Sequence, residues 1–394
     1  MKFIKSIFHI EHCLITLLAF VQLMFWGTLV FNLDFLNPIS NALKNFSITD
    51  VFFEIERSND SMETNDFITL VDVTELEDRE DLALLLNDLD SRSPTSIGVD
   101  IIFDGLKYDS IGNALLLDVV NKISSKTIFA KKLINYSSAK KEFTDEVNSF
   151  FADSVDIIEG FANLTDNMQG SNIRDFILRT SLNGKDQLSF PLQIKSLIDN
   201  EIKYIKDYKY LINYSNVFFP IVKPYEIDES SDLIENHVVL VGAVKQEEDM
   251  HNTPIGKISG LEIQAYSLLT LFEHRFVKHA PKWINWIIAF VFCYLFEIII
   301  HGIYTISERH KNNIIMIFLN KSNIIAIICL FIYMVIVCWL LFYSFVEFNI
   351  IIEGNIVLAT LALMYESRSL YKALIKSLDL KYHWPILGKS IVNN

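Results

Sequence analysis

What most limits this 394-residue chain is the placement of its long apolar runs. One lies near the start, at 14–31, and three lie near the end, at 283–304, 324–346 and 350–365, with a long polar stretch between the first and the second. The first run, LITLLAFVQLMFWGTLVF, carries no charge over the length needed to cross about 30 Å of hydrocarbon. It is longer than a secretory signal core, and no small-x-small cleavage site follows where the sequence turns to FNLDFLNP, so it is expected to be an uncleaved anchor. The last run is short and has Glu353 near its outer end. Together the runs predict four transmembrane helices, one before the polar stretch and three after it.

Lys and Arg in short loops set orientation. Lys2 and Lys5 precede the first run, Arg309, Lys311 and Lys321 lie between the second and third, and Arg368, Lys372, Lys376, Lys381 and Lys389 follow the fourth; the VEFN turn between the third and fourth has none. Residues 1–13, the loop 305–323 and the tail 366–394 are therefore expected on the cytoplasmic side and residues 32–282 outside. That outer segment holds 24 Lys and Arg against 41 Asp and Glu, a formal charge of -17, which leaves +3 for the rest of a chain whose total is -14. An acidic domain argues against nucleic acid and against broad docking on anionic lipid. All four cysteines, Cys13, Cys293, Cys329 and Cys338, fall outside it, which excludes a disulfide or thiolate metal site there.

Within 32–282, short apolar runs alternate with helical patterns. FITLVDV (67–73), SIGVDIIF (96–103) and KTIFAKKL (126–133) read as strands, and HVVLVGA (237–243) has the continuous apolar character of a buried parallel strand. REDLALLLNDLD (79–90) places Leu82, Leu85, Leu86 and Leu89 at helix spacing, and SIGNALLLDVVNKI (110–123) reads as the next helix. Strands separated by helices predict an α/β domain with a mostly parallel sheet. GFANLTDNMQGSNIRDFIL (160–178) suggests a hairpin through its Asp, Asn and Gly turn residues, LSFPLQIKSLIDNEI an amphipathic helix, and YLINYSNVFFP a strand.

The order of VDV (71–73), IGVDIIF (97–103), the Gly160 to Arg174 segment with Asp166 and Gly170, LINY, HVVLVGA, Asp249 with Thr253-Pro254-x-Gly256, and SGLEIQAYSLL (259–269) resembles the type-two class of CHASE domains. The resemblance covers nearly all of 32–365. It implies an extracytoplasmic sensor module of a bacterial signalling receptor, set in the inner membrane with its large domain in the periplasm. Family members usually continue into a kinase or cyclase, and residues 366–394 are too short for either. A separate protein is therefore expected to supply the output. The alternative is a non-catalytic scaffolding subunit of an envelope complex. Membrane lipid, a protein partner and a homo-oligomer are the partners either reading allows, and no cofactor is implied.

Candidate site residues follow from position. Asp72 and Asp100 stand near the carboxyl ends of two strand candidates, Asp249 follows a third, and Glu262 opens the last outer helix. Ligands in open α/β sheets bind outside those ends. Either the four carboxylates converge on a ligand, with Ca²⁺ or Mg²⁺ as suitable hard cations, or each caps a helix or accepts backbone donors. His251 adds an imidazole beside Asp249, with no second histidine at metal spacing. The loop 249–262 is read as a hinge or ligand-contact loop rather than a catalytic one. Arg174 either clamps an anionic ligand or pairs with Asp166 or Asp175. GxGxxG, GxSxG and P-loop patterns are absent, so no enzyme is expected. Glu297 and His301, four apart in the second run, share a helix face, where an ionisable pair marks an internal hydrogen bond, a proton site or a partner site.

Overall fold

The computed structural model describes residues 9–31, 50, 53–54, 57, 62–76, 78–164, 172–199, 209–274, 278–309, 324–348 and 350–382. They fall into two compact units, one of Asn45–Val277 and one combining Met1–Lys44 with Lys278–Asn394. After helix α1 (Ile10–Phe31) of the second unit, the chain enters the first.

That unit is built on a nine-stranded sheet. Its strands are β1 (Ile68–Asp72), β2 (Ser96–Val99), β3 (Thr127–Ser137), β4 (Glu142–Val147), β5 (Ile158–Phe161), β6 (Arg179–Leu182), β7 (Lys185–Leu188), β8 (Ile221–Val222) and β9 (Val238–Gly242). The spatial order is β8-β1-β9-β2-β3-β4-β6-β7, with β5 also on β3. The pairings β8–β1, β1–β9, β9–β2, β2–β3 and β3–β5 are all parallel. β3 is shared: its first half runs parallel to β5 and its second half pairs antiparallel with β4, which starts a polar extension. The expected mostly parallel α/β sheet is thus present.

Helices cover both faces. On one, α2 (Arg79–Ser91) and α3 (Ser110–Ile123) pack their leucines and valines against Val71, Ile97, Val99, Phe129, Val239 and Val241 in a single core. On the other lie α4 (Phe190–Ile198) and α5 (Gly260–Phe272). Ser259 caps α5: its hydroxyl accepts the Glu262 N–H, and the Glu262 carboxylate accepts the Ser259 N–H. This is a capping box that satisfies two free donors of the first turn. β1, β2 and β9 are buried along their whole length because both faces are covered.

The reading of SIGVDIIF as a strand to 103 is too long. β2 stops at Val99, after which Asp100 to Phe103 leave the sheet. The hairpin expected within 160–178 also does not form. β5 joins β3, Asp175–Ile177 pairs with Lys209–Leu211, and residues 165–171 lie outside the described residues. A hairpin forms instead at Asn183-Gly184, between β6 and β7, where both residues have positive φ. A second hairpin joins β10 (Met250–Thr253) to β11 (Gly256–Ser259), with Gly256 at φ 110°, so the expected loop 249–262 is mostly paired backbone.

In the other unit, α1 packs with α6 (Lys282–Arg309) and α8 (Gly354–Tyr382), and α7 (Ile324–Phe348) packs with α6 and α8. A short parallel pair, Lys278–His279 with Ile350–Ile351, links the segments that precede α6 and α8. Among the described residues three helices are long and apolar enough to cross a membrane, Ile10–Thr28, Lys282–Ile306 and Ile324–Phe348, with mean hydropathy 1.6, 2.1 and 3.1. The first is therefore the least apolar. The fourth expected span, 350–365, is corrected: its first residues are strand, the helix begins only at Gly354, and Glu366, Arg368 and Lys372 follow soon after in the same helix. The cytoplasmic placement of the tail depended on that span. Residues 1–8, 310–323 and 383–394, on which the flank, loop and tail assignments also fall, lie outside the described residues.

Gly98 in β2 is required by close approach, since a Cβ there would lie 2.7 Å from Ile194, 2.8 Å from Leu240 and 2.9 Å from Phe190. Gly98→Ala is expected to lower stability by about 1–3 kcal/mol through overpacking, measured by denaturant unfolding of the full chain.

Candidate ligand-binding crevice

Beyond the carboxyl ends of β1, β9, β2, β3 and β5 the loops diverge and leave a crevice of about 860 Å³, within the size range of small-molecule sites. Its walls come from Val73 and Thr74 after β1, the segment 100–104 after β2, Lys131 and Lys132 of β3, Ala162 to Leu164 after β5, and Ala243, Gln246 and Glu248 after β9.

Asp100, Asp249 and His251 all line it. β2 delivers Asp100, whose N–H donates to Val241 O at 2.8 Å. Across from it, Gly242 closes β9 where a Cβ would stand 2.9 Å from Leu261 and 3.4 Å from the Asp100 Cβ. Asp249 ends a short turn, and its Oδ2 accepts the Gly260 N–H at 3.2 Å. Gly260 leaves room for this: a side chain there would come within 2.8 Å of both carboxylate oxygens. His251 Nε2 lies 3.4 Å from Asp249 Oδ1. Burial, and secondarily the charge of Asp249, push the Asp100 carboxyl up to about 7. Among the described residues no Lys or Arg pairs with either aspartate.

Several residues of the crevice carry no signal in the linear sequence. Lys131 is almost buried and donates to Glu146 Oε2 at 2.7 Å and Gln187 Oε1 at 2.8 Å, which ties the wall to β4 and β7. Asn163 clasps the backbone of Leu133 from both sides, accepting its N–H and donating to its carbonyl, each at 2.8 Å. Gln264, one turn into α5, donates to Ala162 O at 3.1 Å. Arg79 is committed: it donates to Asn113 and to Gly105 O and lies 4.6 Å from the Phe150 ring, and burial lowers its pKa. It fixes the loop after β2.

Three expected site residues lie elsewhere. Asp72 accepts the Thr74 hydroxyl and the Thr74 and Val244 N–H groups at 3.0 and 3.1 Å, fastening the loops after β1 and β9. Arg174 makes a two-pronged pair with Asp50, Nε to Oδ1 at 2.8 Å and Nη2 to Oδ2 at 2.6 Å. Of the two partners named from sequence, Asp166 lies outside the described residues and Asp175 has Lys209 Nζ 2.6 Å from its Oδ2. Glu262 is used in the α5 cap. The four carboxylates therefore do not converge, because Asp72 and Glu262 have backbone donors close at hand. Among the described residues no group of three or more His, Cys, Asp or Glu is placed to hold a metal ion.

In the helical unit, Glu297 and His301 of α6 do share a face, as their spacing implies. Glu297 is 1% exposed and pairs with Arg368 of α8, itself 4% exposed. His12 Nδ1 of α1 lies 3.6 Å from Glu297 Oε1, and Arg368 Nη2 lies 3.5 Å from His301 Nδ1. The imidazoles of His12 and His301 meet edge-on with centroids 5.1 Å apart. Sequence periodicity identified one wall of this cluster, and neither His12 nor Arg368 was foreseen.

The outer unit is a two-faced α/β sheet with a polar crevice at its carboxyl edge, in a chain whose flanking helices are long and apolar enough to cross a membrane. The chain belongs to the CHASE2 domain family, whose model matches residues 15–302. CHASE2 domains are extracytoplasmic sensor modules, so the role of the fold is sensor-like and the resemblance read from the motifs holds. No curated protein and no solved structure matches the chain.

Two outcomes are expected. A carboxyl with a raised folded-state pKa binds its proton more tightly than the unfolded chain does, so Asp100 reduces stability as pH rises from about 4 through about 7. Asp100→Asn should raise the melting midpoint more at pH 8 than at pH 4, read by thermal unfolding at both. Removing one member of the Glu297–Arg368 pair leaves a buried charge alone and should cost roughly 3–5 kcal/mol. Glu297→Gln and Arg368→Gln should each show this in detergent unfolding, with the double variant closer to wild type.

Proposed function

We propose that the crevice at the carboxyl edge of the sheet is the ligand site of a sensor, and that a small molecule bound there shifts the conformation of the loops around Asp100 and Asp249. The observation that carries this reading is the meeting of those two carboxylates, neither paired with a Lys or Arg among the described residues, in a crevice of about 860 Å³. A structural pair would be neutralised, as Arg174 and Asp50 are. In this reading the site binds rather than turns over its ligand, with the His251 imidazole placed beside Asp249.

In this reading the chain sits in a bacterial inner membrane with residues 32–282 in the periplasm and the 305–323 loop in the cytoplasm, in keeping with the Lys and Arg of the flanks. A separate protein supplies the output. A ligand changes the outer domain only by binding one of its conformations better than another.

The test uses the full chain in lipid nanodiscs, screened by thermal shift against a small-molecule library. A compound at a hundred times its Kd stabilises by about 2.7 kcal/mol, a shift of roughly 5–10 °C for a domain of this size. Hits should lose their effect in Ala243→Trp, which fills the crevice wall. A library with no hits, or hits indifferent to that variant, would refute the site. The output half is read in the same membranes: a protein should copurify stoichiometrically in mild detergent, and a chain that always emerges alone contradicts it.

A further inference from the structure

Resting on the reading that the crevice takes a small molecule, we infer that its ligand is an organic cation, with an ammonium group between Asp100 and Asp249 and an apolar body against Val73, Leu82 and Phe103. The charge pattern of the crevice points to this class. Asp100 and Asp249 interact through their charges, and no Lys or Arg answers either among the described residues. Four cations line the crevice: Arg79 is engaged by Asn113 and the Gly105 carbonyl and Lys131 by Glu146 and Gln187, while Lys107 and Lys132 are exposed to solvent and neither is paired with Asp100 or Asp249 among the described residues. An incoming ammonium supplies the charge and the N–H donors that two adjacent carboxylates lack.

The opposite charge fits poorly. An anion would have to approach two acidic groups, with Asp104 and Glu248 also on the walls. A bare metal ion fits no better, because no trio of ligating side chains converges among the described residues and the space is many times larger than an ion needs. Val73, Leu82 and Phe103, each under a tenth exposed, turn an apolar surface to the same space. The excess of 41 acidic over 24 basic residues in 32–282 draws cations toward the domain before contact. Near neutral pH the Asp100 carboxyl, raised to about 7, retains a proton part of the time, and an ammonium takes that proton's place.

Isothermal titration of the full chain in nanodiscs tests the class with named probes. The amines are putrescine, agmatine and tyramine; the controls are 1,4-butanediol, succinate, glucose, Ca²⁺ and Mg²⁺. At least one amine should bind at pH 8. Asp100→Asn and Asp249→Asn should each weaken it tenfold or more while keeping side-chain size, and affinity should fall on going to pH 5, where Asp100 is protonated. Absence of amine binding, or amine binding indifferent to both substitutions, overturns the inference. Succinate, glucose, the diol or a divalent ion binding in place of amines, and lost in Ala243→Trp, overturns the cation class while leaving the crevice as a ligand site. If no probe binds and the library screen is also empty, both readings fall together.

Discussion

Burial of the parallel sheet on both faces is the constraint from which the rest of the outer unit follows. With α2 and α3 on one side and α4 and α5 on the other, β1, β2 and β9 have no face left for a charged side chain along their buried length. Charge is excluded until the strands end, and it enters at once where they do, at Asp72 and Asp100. Beyond these residues the backbone leaves the sheet, which opens the crevice. The acidic crevice is thus a product of the same packing that stabilises the core, since the sites where a polar group is tolerated are those where the sheet releases the chain.

What becomes of each carboxylate then depends on the nearest donors. Asp72 has Thr74 two residues on and Val244 beside it, and all its nearby donors are backbone or hydroxyl groups of the loop. Among the described residues Asp100 finds none, and Asp249 finds one backbone N–H, made available because Gly260 has no side chain. Residues alike in type therefore divide into fasteners and groups that line the crevice. In the helical unit the same need for a partner is met by charge, with Glu297 and Arg368 locking α6 to α8 and His12 bringing in α1.

Much of the architecture is legible in the sequence because periodicity is a local property. α3 spans the 110–123 segment marked by its apolar spacing, and α2 ends one residue beyond its expected limit. The errors arise where tertiary partners override local pattern. SIGVDIIF has strand-like apolar residues on both sides of Asp100, yet Ile101 and Ile102 line the crevice rather than extend β2. The strongest turn signal, Asn183-Gly184, makes a hairpin, and the weaker one in 160–178 does not. For the candidate site, the rule that ligands gather at strand ends picked out Asp100 and Asp249, and position beside Asp249 picked out His251; all three line the crevice. The rule also admitted Glu262, although Ser259-x-x-Glu262 is readable as a capping box from the letters alone. Lys131, Asn163 and Gln264 were beyond reach, since they come together only when β3, β5 and α5 are placed side by side.

The outermost strand of the parallel sheet, β8, is two residues long, and Pro220 and Pro224 bracket it. Proline has no N–H to offer a neighbouring strand. At the far end the sheet finishes in β7, whose Lys185 and Asp186 are exposed to solvent. Both margins therefore resist the addition of another strand, the usual route by which exposed β-edges join copies into fibrils or strand-swapped pairs. A domain of an extracytoplasmic family, away from cytoplasmic chaperones, is in this way sealed against self-templated growth, and recognition of a neighbour along these edges must use side chains rather than a borrowed backbone.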